Sequence, residues 1–166
     1  MMLKRIKGNL LDMAENGDFD VIVHGCNCQN TMGSGIAKQI RERYPEAYRA
    51  DTRFCQGQDP IEKLGNYSSA PATCRHPFEA WDVFDIINAY TQVNYLPRGV
   101  DHFEYESFSL ILRKLAAKYP DKRFGLPMIG MGLASGDPER IVPMIVSFAG
   151  VVAQTGGSVT LVEYDG

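Results

Sequence analysis

VIVHGCNCQNTMGSGIAK, from Val21 to Lys38, joins a strand pattern to a helix pattern through a polar, glycine-containing turn. The β-branched run at its start predicts a buried strand over Asp20–Gly25. After the turn, apolar residues at helical spacing predict a helix over Ile36–Tyr44. Gly33-Ser34-Gly35 lies just before this helix, and its glycines permit positive φ and close approach of a ligand to the backbone. Because a helix N-terminus directs free N–H groups towards such a turn, the segment predicts an anion-binding site.

The segment LPMIGMGLASGDPER, from Leu126 to Arg140, repeats this order. A strand is expected over Arg123–Ile129, and a glycine-rich turn follows it. Asp137 is then a suitable N-cap for a helix that begins at Pro138 and ends near Ala153. If the two strands are adjacent and parallel, both turns lie at the carboxyl edge of the sheet, where ligands bind in open α/β sheets. Two such turns facing each other suit a diphosphate better than a single phosphate.

Strand-like and helix-like runs alternate along the rest of the chain, which predicts an α/β layered fold. Other strands are expected over Leu3–Lys7, Asn66–Thr73, Val83–Gln92 and Val159–Glu163, with helical segments over Leu10–Glu15, from Pro45 onwards and over Asp101–Tyr119. No repeat and no long linker divides the 166 residues. A single domain over residues 1–166 is therefore expected.

Composition and charge limit the partners and the location. The chain is 45% hydrophobic and has a net charge of −3, which argues against strong nucleic-acid binding or attachment to an anionic membrane. No window approaches the length of an apolar transmembrane span. The basic start MMLKRIKGNL lacks the apolar stretch of a secretory signal. Four cysteines without such a signal predict free thiols and a cytoplasmic protein.

Spacing disfavours three other kinds of site. The P-loop string G-x-x-x-x-G-K-[ST] does not occur. Gly33 comes about eight residues after the expected end of the first strand, which is too late for the dinucleotide-binding fingerprint. His24, Cys26 and Cys28 alternate, whereas zinc sites usually separate paired cysteines by two or more residues. We therefore expect neither a metal nor a cofactor.

Four stretches together resemble the macro domain family, which binds ADP-ribose. They are Gly8-Asn9-Leu10-Leu11, VIVHGCNCQNTMGSGIA, LPMIGMGLASGD and the ending LVEYDG, in the family's order and spacing over essentially the whole chain. The phrase HGCNCxxxMGxGIA is similar to the branch that includes ADP-ribose 1″-phosphate phosphatases and small deacylating macro enzymes. The resemblance implies a three-layer α/β/α sandwich around a mixed, mostly parallel sheet.

The resemblance also implies a set of ADP-ribose contacts. Asn9 stands where the family usually has an Asp that receives the adenine N6 amine, and its amide oxygen can still accept that bond without charge. Leu10 would offer a backbone N–H beside it, and Tyr164 would stack on the adenine. Asn27 matches the asparagine that hydrogen-bonds the distal ribose. Two loops complete the set: Gly33, Ser34, Gly35 and Ile36 around the distal ribose and its phosphate, and Gly130, Met131, Gly132, Leu133 and Ala134 around the diphosphate.

His24 is the strongest catalytic candidate, together with Asn27, because phosphatase-like members resemble this chain in having a histidine there. An imidazole at the mouth of the pocket could orient or activate water for hydrolysis of ADP-ribose 1″-phosphate, while main-chain N–H groups stabilise the developing oxyanions. The alternative is a histidine satisfied by a backbone carbonyl at the strand end. His102, near a helix start, is a second candidate.

Three hypotheses for the function remain open. The first is a metal-independent hydrolase of ADP-ribose 1″-phosphate or a related ADP-ribose ester. Removal of ADP-ribose from acidic side chains or DNA is a variant of it, but the resemblance there calls for a lysine near Tyr90–Val93 and an acid where Ala134 stands. The second is a module that binds ADP-ribose and catalyses nothing. The third, outside the family, is a zinc-dependent or another nucleotide-binding protein.

Overall fold

One six-stranded sheet organises the residues that the computed structural model describes, namely 2–76, 79–97, 99–132 and 134–164. The strands are β1 (Leu3–Gly8), β2 (Val21–Asn27), β3 (Tyr67–His76), β4 (Glu79–Gln92), β5 (Arg123–Leu126) and β6 (Ser158–Tyr164). Their order across the sheet is β1-β6-β5-β2-β4-β3. The β3–β4 pair is antiparallel and the other neighbouring pairs are parallel. The sheet is therefore mixed and mostly parallel, which confirms the prediction.

Helices cover both faces of this sheet. They are α1 (Leu10–Glu15), α2 (Gly35–Arg43), α3 (Pro45–Arg53), α4 (Tyr105–Lys118) and α5 (Pro138–Ala153), and a 3₁₀ turn spans Pro60–Lys63. Alternate residues of β2 face opposite sides: Val21 and Val23 pack with α4 and α5, whereas Ile22 packs with α1, α2 and α3. The predicted three-layer α/β/α sandwich is thus confirmed. Among the described residues, none of these helices combines the length and apolar character needed to cross a membrane.

Two predicted boundaries beside the two facing turns are wrong, and the strands predicted over Asn66–Thr73 and Val83–Gln92 extend further, to His76 and from Glu79. The helix predicted over Asp101–Tyr119 begins only at Tyr105, because contacts distant in sequence hold the preceding residues extended. The N–H of His102 donates to the carbonyl of Ala134 at 2.9 Å, and the N–H of Glu104 donates to the carbonyl of Thr91 at 2.7 Å. The strand predicted to reach Ile129 ends at Leu126, and Ile129 instead donates its N–H to the Pro127 carbonyl at 2.7 Å in a tight turn.

Parallel pairing determines where a ligand can bind. Both β4 and β5 run parallel to β2, their neighbour on either side, so the three strands end at one edge of the sheet. The polar turn after β2 and the glycine-rich turn after β5 therefore face each other there, as the sequence predicts.

Candidate functional site

A cleft of about 550 Å³ lies at this edge between two loops. The first loop (residues 28–34) follows β2, and the second loop (residues 127–136) follows β5. The lining residues are Gly25, Cys26, Asn27, Thr31, Met32, Gly33, Ser34, Gly35, Ile36, Ala37, Thr91, Gln92, Tyr95, Pro127, Met128, Ile129, Gly130, Gly132 and Ala134. This described lining contains no Asp, Glu, His, Lys or Arg. An anionic ligand in the cleft would therefore be held by main-chain and neutral groups.

The first loop leads directly into an uncapped helix N-terminus. Ser34 is the N-cap residue of α2, but its side chain makes no capping hydrogen bond and no acidic residue occupies the first turn. Gly35 has φ +57°, and a Cβ added there would meet nothing within 4 Å. The amides of Gly35, Ile36 and Ala37 have no partner four residues earlier within the helix. These N–H groups and the helix dipole suit an anion at the cleft.

Two positions of the second loop, Gly130 and Gly136, have no room for a side chain. Gly130 has φ +76°, and a Cβ there would lie 2.4 Å from the ring of Phe103. A Cβ at Gly136 would lie 2.6 Å from the carbonyl oxygen of Gly130, which accepts the Gly136 N–H at 2.8 Å. Gly132 differs, because a Cβ there would meet nothing within 4 Å. These glycines let the loop close against Phe103 while Gly132 stays open to the cleft.

The helix after the second loop is capped, unlike α2. Asp137 accepts a hydrogen bond from the N–H of Glu139 at 2.9 Å, as predicted for an N-cap. Free donors on this side therefore come from the loop itself. Within the described residues, the amides of Gly130, Gly132 and Ala134 have no hydrogen-bond acceptor. Both predicted loops are present. The donors on the first side belong to the first turn of α2, whereas those on the second side belong to the loop before α5.

Most of the residues predicted to surround the distal ribose and diphosphate line the cleft. These are Asn27, Gly33, Ser34, Gly35, Ile36, Gly130, Gly132 and Ala134. Met131 does not, because its side chain packs against the α4–α5 side of the core and its N–H donates to the Met128 carbonyl at 3.2 Å. Leu133 lies outside the described residues.

The three residues predicted to contact adenine lie at the same sheet edge but outside this lining. Gly8 is opposite Tyr164 in the parallel β1–β6 pair, so Asn9 follows β1 close to the end of β6. The Asn9 side chain caps α1 by accepting the Asp12 N–H at 3.0 Å. Leu10 is buried, whereas Tyr164 is 63% exposed. Tyr164 is therefore open to solvent at the β1–β6 end of the edge.

Asn27 has a structural role in the first loop. Its Nδ2 donates to Thr31 Oγ1 at 2.9 Å, and its Oδ1 accepts the Gln29 N–H at 2.8 Å. The second Nδ2 hydrogen and a second oxygen lone pair remain for a ligand in the cleft that Asn27 lines.

The prediction that His24 lies at the mouth of the pocket is wrong. His24 is the fourth residue of β2 and is 0% exposed, and it does not line the cleft. Its Nε2 lies 2.6 Å from Asn88 Oδ1, so the partner is a side chain and not the backbone carbonyl of the alternative interpretation. Burial lowers the pKa of His24 and keeps the ring neutral. The ring therefore has no route to a ligand in the cleft, and the catalytic role predicted for it lacks the required contact.

His24 is one end of a directed hydrogen-bond series that we call the buried polar chain. Asn88 donates through Nδ2 to Ala47 O and Ser68 Oγ, both at 3.0 Å, so its Oδ1 must accept from His24 Nε2–H. Ser68 and Tyr90 share a bond of 2.7 Å, and the Tyr90 hydroxyl donates to Asp51 Oδ1 at 2.8 Å. Apart from the Asn88–Ala47 bond, each donor in the series points towards the Asp51 carboxylate, which is ion-paired with Lys63 at 3.0 Å.

Thr91 and Phe103 are site residues that sequence reasoning missed. Cys26 pairs with Tyr90 and Asn27 with Gln92, so Thr91 is an extra residue in β4 beside the cleft. Its hydroxyl is buried and has no hydrogen-bond partner among the described residues. The parallel neighbour of β2 is the signal that could have located Thr91 at the same edge. Phe103 had no such signal, because its role depends on Gly130 and Gly136.

The other titratable groups near the cleft form no metal site. In the described part of the chain, no three or more His, Cys, Asp or Glu side chains come together as metal ligands would. Burial raises the pKa of Cys26, and it raises that of Cys28 to about 11, so both are neutral thiols at pH 7. His102 Nε2 bonds to the Pro97 carbonyl at 2.6 Å, and His102 does not line the cleft.

Known proteins resemble the chain in sequence, although no protein-family model matches it. It is 31% identical over 153 residues to an uncharacterised 17.5 kDa protein from the tk–vs intergenic region of Enterobacteria phage T4, covering 90% of this chain and 91% of that protein. It is 36% identical over 80 residues to an ADP-ribose 1″-phosphate phosphatase of Scheffersomyces stipitis, covering 46% of each. The chain thus matches less than half the length of that phosphatase.

Solved structures resemble the fold over nearly the whole chain. The macrodomain of Mycobacterium tuberculosis DarG matches with a TM-score of 0.74 and 21% identity over 97% of both chains. The chain has the macro domain fold. Another macro domain, from Trypanosoma brucei and solved in complex with ADP-ribose, matches with a TM-score of 0.67 and 11% identity over 98% of this chain and 63% of that one. At these identities, the two structures establish the macro domain fold.

Burial of neutral His24 predicts a pH-dependent stability. Its folded pKa is below the ordinary value of 6.5, so the unfolded chain takes up this proton at a higher pH than the folded chain does. The free energy of unfolding should therefore fall between about pH 7 and pH 5, with a slope of at most about 1.4 kcal/mol per pH unit from this group. His24→Gln should remove that slope, as measured by urea unfolding at each pH.

The contributions of Glu15 and Asp20 to stability change at lower pH than that of His24. Hydrogen bonds lower the pKa of Glu15 and Asp20 below 4.5 and 3.8, so their contribution is lost at lower pH. Equal slopes for the wild type and His24→Gln between pH 7 and pH 5 would contradict a buried, neutral imidazole.

Replacing the buried Thr91 hydroxyl should stabilise the ligand-free fold. Thr91→Val keeps the shape and removes a polar atom that has no partner in the described structure. Such a group costs about 1–3 kcal/mol when buried, so we expect the free energy of unfolding to rise by about 1 kcal/mol. Thermal unfolding provides the measurement, with Thr91→Ser as the control that keeps the hydroxyl. Lower stability of Thr91→Val than of Thr91→Ser would show that the hydroxyl has a stabilising partner.

Proposed function

We propose that this macro domain binds ADP-ribose in the cleft between its two loops. The observation that carries the proposal is the placement of free main-chain N–H groups on both sides of one cleft. The first turn of α2 provides them on one side, and the second loop provides them on the other. The T. brucei macro domain solved with ADP-ribose, which shares the fold, supports the choice of ligand.

The electrostatics of the cleft favour a diphosphate close to α2. The α2 N-terminus has neither a side-chain cap nor a carboxylate in its first turn, so the positive end of its dipole is free. By contrast, Asp137 caps α5 and Glu139 occupies the first turn of that helix. Two carboxylates there repel an anion. The diphosphate would therefore take its helix contacts from α2 and further N–H groups from the second loop.

The proposed orientation extends along the carboxyl edge of the sheet. Asn27, at the end of β2, would hydrogen-bond the distal ribose through the capacity that its loop contacts leave free. Tyr164, exposed at the end of β6, would stack on the adenine beside Asn9. The Asn9 oxygen already caps α1, so its bond to the adenine amine would use the second lone pair.

Titration calorimetry tests the proposal directly. We expect ADP-ribose to bind more tightly than ADP or ribose 5-phosphate, because only ADP-ribose carries adenine, diphosphate and distal ribose together. No heat with ADP-ribose, or equal affinity for ribose 5-phosphate, would contradict the proposed site.

Side chains added at the two open glycines should block the cleft without unfolding the protein. Gly33 and Gly132 line the cleft, neither has positive φ, and a Cβ at either position meets nothing closer than 3.8 Å. Gly33→Leu and Gly132→Leu should each weaken ADP-ribose binding by at least about tenfold, or about 1.4 kcal/mol. Gly150→Leu is the matched control, because a Cβ at Gly150 in α5 also meets nothing within 4 Å. Unchanged affinity in both loop variants, with the fold intact, would place the ligand elsewhere.

We also propose hydrolysis of ADP-ribose 1″-phosphate as the reaction, favoured by the partial match to a phosphatase of that name. Water would attack phosphorus, the bond from phosphorus to the anomeric oxygen would break, and the sugar oxygen would leave as a hydroxyl, giving ADP-ribose and phosphate. Main-chain N–H groups would stabilise the charge on the phosphoryl oxygens. The described lining has no carboxylate, imidazole or amine, so it offers no general base and no lysine for removal of ADP-ribose from acidic side chains or DNA.

Phosphate release from ADP-ribose 1″-phosphate tests this reaction. Asn27→Ala should slow release by about ten- to a hundredfold, because it loosens both the first loop and the hold on the ribose. His24→Gln should retain most of the activity, since the imidazole does not reach the cleft. Binding of ADP-ribose without phosphate release would leave a non-catalytic ADP-ribose module. An equal loss in both variants, each stably folded, would restore a role for His24.

A further inference from the structure

Lys63 and Asp51 form an ion pair in the interior behind the first loop. Their side chains are 3% and 1% exposed. The Lys63 ammonium donates to Asp51 Oδ1 at 3.0 Å and to the Asp51 carbonyl at 2.8 Å. Its third hydrogen bond goes to Asn30 Oδ1 in the first loop. These three bonds use the full donor capacity of the ammonium.

Asn30 occupies the side of the first loop that faces away from the ligand cleft. Asn27 and Thr31 line the cleft, whereas Asn30 does not. Asn30 has φ +61°, a left-handed conformation that asparagine tolerates better than most residues. Its backbone conformation and its side-chain bond together fix the middle of the loop. A displacement of Asn30 would therefore also displace its cleft-lining neighbours, because they share one short stretch of backbone.

We infer that Lys63 is a positioning residue for the ligand, acting through Asn30 to hold the first loop in its binding conformation. The inference rests on the proposed ADP-ribose site and explains what keeps one wall of that site in place. Two bonds to Asp51 fix the ammonium from within, so the loop is the movable partner. A loop released from Lys63 spends less time in the binding conformation, and the apparent affinity falls by that fraction.

Two other contacts of the first loop are of a different kind. The Cys28 N–H donates to the Val93 carbonyl at 3.1 Å at the start of the loop. Arg41 donates to the Thr31 carbonyl at 3.0 Å from an exposed position, where water competes for both groups. The Lys63–Asn30 bond joins the middle of the loop to a buried charge, and charge-assisted bonds are stronger than neutral ones.

Asn30→Gly is the variant that isolates this bond. Glycine keeps the left-handed backbone conformation accessible and removes the acceptor oxygen. Asn30→Asp is the conservative rescue, because it retains an acceptor oxygen for the ammonium. Asp121→Gly is the matched control for glycine flexibility, since Asp121 has φ +60° and an exposed side chain. Lys63→Met is less informative, because it leaves Asp51 buried without its partner and endangers the fold.

Two measurements on these full-length variants test the inference. Hydrogen exchange without ligand should show faster exchange at residues 28–36 in Asn30→Gly, and near-native exchange there in Asn30→Asp and Asp121→Gly. Titration should show ADP-ribose binding weakened by about tenfold in Asn30→Gly and restored to within about threefold in Asn30→Asp.

The outcomes separate this inference from the proposed function. Native exchange at residues 28–36 in Asn30→Gly overturns the positioning role, whatever the ligand. A uniform rise in exchange over the whole chain, with unchanged affinity, also overturns it by showing that the bond only stabilises the fold. If the wild type binds no ADP-ribose while the exchange result holds, the loop anchor stands and the proposed ligand fails.

Discussion

The arrangement of the elements around the first loop depends on the buried ion pair between Lys63 and Asp51. A buried charge without a partner costs several kcal/mol, so each group around the pair must supply a donor or an acceptor in a fixed direction. Tyr90 and Lys63 both donate to the same Asp51 oxygen, and the buried polar chain continues from Tyr90 to His24. The pair thereby ties α3, the 3₁₀ turn, β3, β4, β2 and the first loop into one arrangement.

The layered fold and the position of the cleft could be predicted because they depend on local patterns. The β-branched run of β2 and the apolar face of α4 identify a buried strand and a helix that must cover it. Strand-to-helix turns rich in glycine mark the carboxyl edge of a parallel sheet, and parallel pairing then makes two such turns face each other. Asp137 as a cap was predictable for the same reason, since capping depends on residues one or two positions away.

The roles of His24 and Lys63 could not be predicted, because partners distant in sequence decide them. A histidine near the end of a strand is open to two interpretations until Asn88, 64 residues later, is known to accept a hydrogen bond from its ring N–H. Lys63 reads as an ordinary surface lysine unless Asp51 and Asn30 are known to surround it. Likewise, the start of α4 at Tyr105 depends on the carbonyls of Ala134 and Thr91, which accept the N–H groups of His102 and Glu104 and are distant from them in sequence.

A cleft whose described lining carries no ionic side chain would bind an anion through the placement of its main-chain N–H groups. Ligand affinity would then depend less on the side chains that line the cleft than on the side chains that hold the two loops in place. An uncharged site of this kind is compatible with Asn9, which stands where the resembled family usually has an Asp. It is also compatible with Ala134, which stands where members that remove ADP-ribose from acidic side chains or DNA have an acid. It also shifts the specificity of the site to residues behind it, because Phe103 determines where the second loop lies and Lys63 determines where the first loop lies. Main-chain donors are useful only if they are already in place when the ligand arrives, so the buried anchors are as much a part of the site as its lining.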